Sequence, residues 1–182
     1  MILHPLPRVP GLTVPAPLLA ELTSLHASNR DYHFLSGDFP APDGIRPEQV
    51  ADALAEETAN PDVEVLPARS DGKLVGVAIT LARHPDPADP DPWIGLLMVD
   101  AGVQGQGHGR RLASLVEDRL RAAGHTAVRL AVLDGNPGGL AFWTALGYSA
   151  LGRRKDLQRG RPCTVLRKVL AKRPASGGPA GA

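Results

Sequence analysis

Val99-Asp100-Ala101-Gly102-Val103-Gln104-Gly105-Gln106-Gly107-His108-Gly109-Arg110-Arg111-Leu112 is the stretch whose residue types and spacing point most directly to chemistry. An apolar run precedes it, and a helical pattern follows. Glycines at 105, 107 and 109 let backbone N–H groups approach a ligand with no Cβ in the way. The unpaired N–H groups of a first helical turn, at the positive end of the helix dipole, favour anionic oxygens. Strand, glycine-rich loop and helix start together read as a phosphate cradle. Two common phosphate motifs are excluded. A Walker loop needs Gly-Lys followed by Ser or Thr, which is absent. The dinucleotide fingerprint needs glycine at the sixth position, and counting from Gly105 that position is Arg110.

The elements that must position this segment follow from periodicity. Leu18, Leu19, Leu22 and Leu25 give an amphipathic helix with Pro17 in its first turn. Asn29 to Arg46 reads as a polar loop. Pro47 opens a second helix with Val50, Ala53 and Leu54 on one face. Val63 to Ala68 and Lys73 to Ala82 read as strands joined through Asp71-Gly72, a strong hairpin signal. Trp93 to Val99 is a nearly continuous apolar run, expected of a central strand buried on both faces. A helix beginning near Gly107 carries Leu112, Leu115, Val116 and Leu120. Glu117 and Arg121 read as its exposed i,i+4 pair, and Gly124 suits its C′ position. Val128, Leu130 and Val132 alternate as a strand. Asn136 reads as an N-cap with Pro137 at N1, opening a short helix that stops at Gly147. Strands around Tyr148 to Leu157 and Cys163 to Leu170 close a mixed α/β order. Residues 1–170 form one expected domain; 171–182, without a large apolar side chain, is expected to be a flexible tail.

Gln104-x-x-Gly107-x-Gly109 resembles the Gln/Arg-x-x-Gly-x-Gly/Ala signature of GNAT-type N-acetyltransferases. The resemblance continues through Asn136-Pro137 and Ala141-Phe142-Trp143-Thr144-Ala145-Leu146-Gly147-Tyr148, which is similar to the family's second motif. It implies a central mixed, splayed β-sheet of about six to seven strands flanked by helices, acetyl-coenzyme A as donor, and transfer to an amine of a small molecule or protein in a ternary complex. It also implies site residues. Leu97, Met98 and Val99 match the strand whose backbone pairs with the pantetheine arm, with an N–H near Met98 polarising the thioester. Gln104, Gly105, Gln106, Gly107, His108, Gly109 and Arg110 match the pyrophosphate loop. Asn136 matches a cofactor contact, and it equally suits the helix cap. Trp143 is a pocket wall.

The sequence departs from the family at two positions. The tyrosine that protonates the leaving thiolate in many members is replaced by Trp143, and a fifth-strand glutamate base by Ala131. An alkylammonium of pKa ~10 is only about one part in a thousand neutral near pH 7, so a nearby base would help. His84, Asp86, Asp89 and Asp91, from the loop before the apolar strand, are the candidates, His84 and Asp91 foremost. Tyr32 and His33 fall where the family builds its acceptor pocket. The two missing groups also leave open a non-catalytic acyl-coenzyme A sensing module, and the cradle alone leaves open a nucleotide binder.

Composition narrows the field. Twenty basic and nineteen acidic residues leave a net charge of +1, and aromatics are 4%, so neither nucleic acid nor an anionic membrane is expected as a partner. One cysteine, Cys163, excludes a disulfide framework and a cysteine-rich zinc site, and no metal is expected. No apolar run approaches the ~20 residues of a membrane span, and Met-Ile-Leu-His-Pro does not read as a secretory signal. A cytoplasmic enzyme is expected, with a homodimer compatible with the resemblance.

Overall fold

The computed structural model describes residues 1–7, 13–157 and 159–170; the expected tail at 171–182 lies outside them. The strands are β1 (Ile2–Leu3), β2 (Val63–Ser70), β3 (Lys73–Leu81), β4 (Trp93–Val99), β5 (Ala127–Leu133), β6 (Ser149–Lys155) and β7 (Pro162–Val169). They form one seven-stranded sheet in the order β1-β2-β3-β4-β5-β7-β6. The helices are α1 (Ala16–Ser28), α2 (Arg30–Ser36), α3 (Pro47–Ala59), α4 (His108–Ala122) and α5 (Pro137–Ala145). Among the described residues, no helix is long and apolar enough to cross a membrane.

Local chemistry explains the ends of these elements. Ser70 pairs with Lys73 across Asp71 and Gly72, both at positive φ (51° and 80°), the backbone that a two-residue hairpin needs to match strand twist. Helix α4 ends in a Schellman arrangement. The Gly124 N–H donates to Arg121 O and the His125 N–H to Leu120 O, with Gly124 at φ 90°.

Two apolar cores lie on opposite faces of the sheet. One packs Leu112, Val116 and Leu120 of α4 against Ile94, Val128 and Leu130. The other packs Leu22 and Leu25 of α1 and Val50 and Leu54 of α3 against Val65, Val77 and Met98. β4 changes which face each residue serves. Ile79 pairs with Leu96 but Thr80 with Ile94, so Gly95 is bulged out of the ladder. After the bulge, Leu97 and Val99 face α4 while Leu96 and Met98 face α1.

β4 and β5 are parallel neighbours for only two residue pairs, Trp93–Arg129 and Ile94–Leu130. Beyond Ile94 the strands diverge, and the sheet opens into a V. The joined end is clamped by charge. Asp91 accepts from Arg129 Nε (2.9 Å) and Arg167 Nε (2.8 Å). Asp89 accepts from Arg154 Nη1 (2.9 Å) and from Arg129.

Three expectations are corrected. The stretch 29–46, read as a loop, contains α2 and a 3-10 turn at Pro42–Gly44. Its polar sequence hid a seven-residue helix whose buried side is His33 and Ser36. β4 is not buried on both faces throughout: Gly95 is exposed, and Leu96 and Leu97 are half-buried, because the partner strand has moved away. Glu117 is not an exposed partner of Arg121. It is buried, and its carboxylate accepts from Lys168 Nζ (2.8 Å) and Tyr148 Oη (3.2 Å) besides Arg121.

Gly76 shows how tightly β3 crosses β4. A Cβ there would lie 2.7 Å from the Met98 carbonyl oxygen and 3.1 Å from Leu112 Cδ2. Gly76→Ala should cost about 1–3 kcal/mol by overpacking against backbone, read as a lower urea midpoint at unchanged m-value.

Candidate active site

The open end of the V holds a cavity of about 880 Å³. Its walls come from the β4 edge, the glycine loop, the start of α5 and the start of α2. Of the residues expected to hold a cofactor, Leu97, Met98, Val99, Gln104, Gly105, Gly107, Gly109, Arg110, Asn136 and Trp143 line this one space; Gln106 and His108 do not.

The loop is built as a cradle. Gly105 (φ 77°) and Gly107 (φ 86°) both hold backbone that side-chain-bearing residues rarely adopt, with open space where a Cβ would stand. The first intrahelical bond of α4 runs from the Arg111 N–H to Gly107 O. The N–H groups of His108, Gly109 and Arg110 precede it and have no place in the helical ladder. At Gly109 a Cβ would meet the Phe142 ring at 3.3 Å, so this glycine lets α5 close on α4.

Gln104 does a different job from the one expected of a ligand contact. Its Nε2 donates to Val99 O (3.1 Å) and Asn29 Oδ1 (3.0 Å), and Asn29 Nδ2 also donates to Val99 O (3.1 Å). Ser28 Oγ accepts from the Ala101 N–H at 3.1 Å. The pair therefore pins the end of β4 to the α1–α2 junction. Sequence reasoning misses Asn29, since nothing local marks it as a partner of a residue 75 positions away. Asn136 is a helix cap: its Oδ1 accepts from the Gly139 N–H at 2.8 Å, while the residue still lines the cavity.

Strand parity corrects the expectation for Met98. The Asp100 N–H donates to Val75 O, which makes Gly76–Val99 a non-hydrogen-bonded pair of the antiparallel ladder. Val77–Met98 is then a hydrogen-bonded pair, so Met98 turns its N–H and carbonyl toward β3; its carbonyl oxygen is the atom that a Cβ at Gly76 would strike. Leu97 and Val99 turn theirs toward the gap. The Val99 carbonyl is already taken by Gln104 and Asn29. The Leu97 and Val99 N–H groups remain aimed into the V.

The expected bases are not in this space. His84 stacks on Trp93 with ring centroids 4.8 Å apart and sits 3.3 Å from Asp89. Asp91 belongs to the clamp at the joined end of the V. The Arg167 guanidinium, with Arg129 beside it, holds its carboxyl below the ordinary range, which weakens it as a base. Both residues serve the ion network that fixes β4 to β5.

Of the expected acceptor residues, Tyr32 lines the cavity and His33 does not. Burial and the charge of Asp38 push the Tyr32 hydroxyl up to about 12, so it stays protonated at neutral pH. His33 is buried beneath α2, with its Nε2 3.3 Å from His26 Nδ1 and both rings edge-on to Phe39. Tyr148 is closed off as an acid by burial and by Glu117, which raise its pKa above the ordinary phenol value. Burial also raises the pKa of the Cys163 thiol. Among the described residues, no group of three His, Cys, Asp or Glu side chains is placed to hold a metal ion.

Comparison with known proteins agrees with this geometry. Residues 29–148 match the family described as Acetyltransferase (GNAT) family. The chain belongs to that family and is an acyltransferase of the acetyl-transferring kind. None of the curated proteins matches it in sequence. Solved structures with the same fold include an acetyltransferase from Thermus thermophilus, at 22% identity and TM-score 0.68, covering 93% of this chain and 98% of that one. The aminoglycoside 6′-acetyltransferase type Ii aligns at 21% identity and TM-score 0.64, covering 96% and 100%. The ribosomal-protein-S18-alanine N-acetyltransferase from Escherichia coli aligns at 16% identity and TM-score 0.61, covering 97% and 99%. The expected splayed, mixed sheet is the fold observed. The family uses acetyl-coenzyme A as donor and amines as acceptors. The residues here fit such a donor: the glycine cradle leaves room and N–H groups for a diphosphate, and the freed edge of β4 offers peptide groups to an extended arm.

The buried histidine pair makes stability depend on pH. Burial, with His33 beside it, lowers the His26 pKa from 6.5 to about 4, and His33 is shifted in the same direction by burial. Between those values the unfolded chain binds a proton that the native chain refuses, so stability is full above pH 6.5 and falls as pH drops toward 4. His26 alone should account for about 2 kcal/mol lost between pH 7 and pH 5. Urea titrations at the two pH values would show it, and His26→Leu should flatten the difference.

Proposed function

We propose that this chain transfers an acetyl group from acetyl-coenzyme A to a primary amine by direct attack in a ternary complex. One observation carries the reading: the cradle at Gly105 to Arg110, the unpaired N–H groups of Leu97 and Val99, and the α2 residues Asp31 and Tyr32 all open onto the same cavity. A donor held by its diphosphate at the cradle and by its arm along β4 brings an activated acyl thioester to the middle of the V.

The chain's own groups have three tasks there. Backbone N–H groups at Gly107, Gly109 and Arg110, with the Arg110 guanidinium, hold the diphosphate. The Leu97 N–H donates to the acyl carbonyl oxygen as negative charge develops on it, replacing the role the sequence assigned to Met98. The wall of α2 holds the amine in line. The nitrogen, as the free base, forms a bond to the acyl carbon; the carbon–sulfur bond breaks; the proton released by nitrogen passes to water, and the thiolate leaves with the electron pair. Tyr32, uncharged at neutral pH, belongs to the α2 wall. Trp143 is a wall, packed edge-to-face against Phe142 and Tyr148 with ring centroids 5.0 and 4.9 Å apart. Positioning and carbonyl polarisation supply the rate, and neither requires a glutamate at Ala131.

Acetyl-coenzyme A at one hundred times its Kd should stabilise the protein by about 2.7 kcal/mol, a rise in Tm of roughly 5–10 °C. Gly107→Asp should remove the rise, because a side chain and a negative charge would stand among the N–H groups. A mutant that still shows the full rise would move the donor site elsewhere.

A further inference from the structure

The cavity separates its charges. At the cradle end stands Arg110, beside the amides of the first turn of α4. At the α2 end stand Arg30, Asp31 and Tyr32. Arg30 is already neutralised by an ion pair with Asp43, and Tyr32 is uncharged. Asp31 is the one carboxylate among the cavity-lining residues, and it has no ion pair or hydrogen bond among the described residues. The acceptor end of the site therefore carries a negative charge that favours the first turn of α2 but that no cation among the described residues neutralises.

Asp31 also sits on a fixed support. The start of α2 is tied to the end of β4 through Asn29 and Ser28. Its far end is tied to the other half of the sheet. Arg161, in the loop before β7, donates to Ser36 O and pairs with Asp38, and Leu35 packs so closely on Gly135 that a Cβ there would fall 2.5 Å from its Cδ1. The helix is a strap across the mouth of the V, latched on both sides.

We infer that Asp31 is a specificity-determining residue that receives a cationic group of the acceptor other than the attacking nitrogen, so that the natural acceptor is an amine bearing a second ammonium. The chemistry selects this role over that of a base. The attacking nitrogen must be neutral to react, whereas a second alkylammonium, with a pKa of ~10.4, keeps its charge throughout and pairs with a carboxylate before, during and after transfer. An acceptor held at one end by Asp31 has its other nitrogen free to turn toward the Leu97 edge. This inference rests on the proposed acetyl transfer and names the class of acceptor for the same site.

Initial rates of acetyl transfer by the intact protein test it, with coenzyme A affinity followed in parallel by calorimetry. The probes are 1,4-diaminobutane and butylamine, whose single nitrogen cannot both pair with Asp31 as an ammonium and attack as the free base. The wild-type protein should show a kcat/KM about five-fold higher for the diamine than for the monoamine, as expected for one exposed ion pair, and the preference should shrink in high salt. Asp31→Asn should erase it, Asp31→Glu should keep part of it, and neither should change the affinity for coenzyme A. A helix-end carboxylate with a merely structural role would shift Tm without moving this ratio. Equal kcat/KM for the two amines, no transfer to the diamine, or a preference that survives Asp31→Asn overturns the inference. Absence of heat with coenzyme A itself overturns the donor reading instead.

Discussion

Everything functional in this protein depends on β4 and β5 being joined at one end and parted at the other. Two residue pairs hold the strands together, and the ladder then stops. Two pairs of parallel ladder are a weak joint, and the carboxylates of Asp89 and Asp91 reinforce it by gathering the guanidiniums of Arg129, Arg154 and Arg167 at the joined end, just before β4 begins. Such charges are costly to bury, and they are tolerable only because each finds several partners. Removing Asp89 would leave Arg154, which lies over the Trp93 indole at 4.8 Å, without its carboxylate, and removing Asp91 would do the same to Arg167. The clamp therefore holds the two halves of the sheet together at the end away from the opening, where peptide groups become available to a ligand.

The opened edge then needs its remaining groups sorted into used and unused. Val99 O is capped twice, by Gln104 and Asn29, while the Leu97 and Val99 N–H groups are left without a strand partner. An unpaired N–H inside a protein is unfavourable unless something accepts from it. The edge is thus poised for an acceptor such as an amide or thioester carbonyl. The same logic holds at the cradle, where the Gly105 and Gly107 backbone turns amide hydrogens outward at a helix start. The α2 strap completes the enclosure, and because its two latches come from different halves of the sheet, any widening of the V would strain them. Cleft width and acceptor wall are mechanically one unit.

Much of this was legible in the chain. The glycine spacing, the Asp71-Gly72 hairpin, the Asn136-Pro137 cap and Gly124 at C′ all act over a few residues, so local physics determines them and sequence displays them. That Leu97 to Val99 and the glycine loop belong to one site was an expectation of the family resemblance, not of any local signal. What escaped was long-range or parity-dependent. Asn29 acts on a strand 70 residues away. Glu117 looks like a solvated helix residue until Tyr148 and Lys168 close over it. His84 and Asp91 had the right chemistry for a base, and only the tertiary structure shows that His84 is stacked on Trp93 and that the charge of Asp91 is consumed in the clamp. Helix α2 has too few residues for a periodic pattern, and it carries the one carboxylate that lines the acceptor wall.

The shift from Met98 to Leu97 illustrates why catalysis by backbone is hard to read from residue types. Side-chain identity is irrelevant to a peptide N–H; only strand parity matters, and parity here is reset by one bulge at Gly95. Each residue added to or removed from a bulge exchanges the faces of every residue beyond it. With Gly95 extruded, Leu97 keeps its side chain on the α4 core and its N–H on the gap, while Met98 fills the α1 core and bonds to β3. The extruded position is exposed, and a Cβ there would meet nothing closer than Ile79 O at 3.7 Å, so the bulge itself, not the absence of a side chain, sets the parity. The chain thus places its most important donor by one residue left out of the ladder. That arrangement is consistent with a site that lacks both the tyrosine and the glutamate of its relatives: polarisation by a fixed peptide and positioning between two latched walls ask nothing of either.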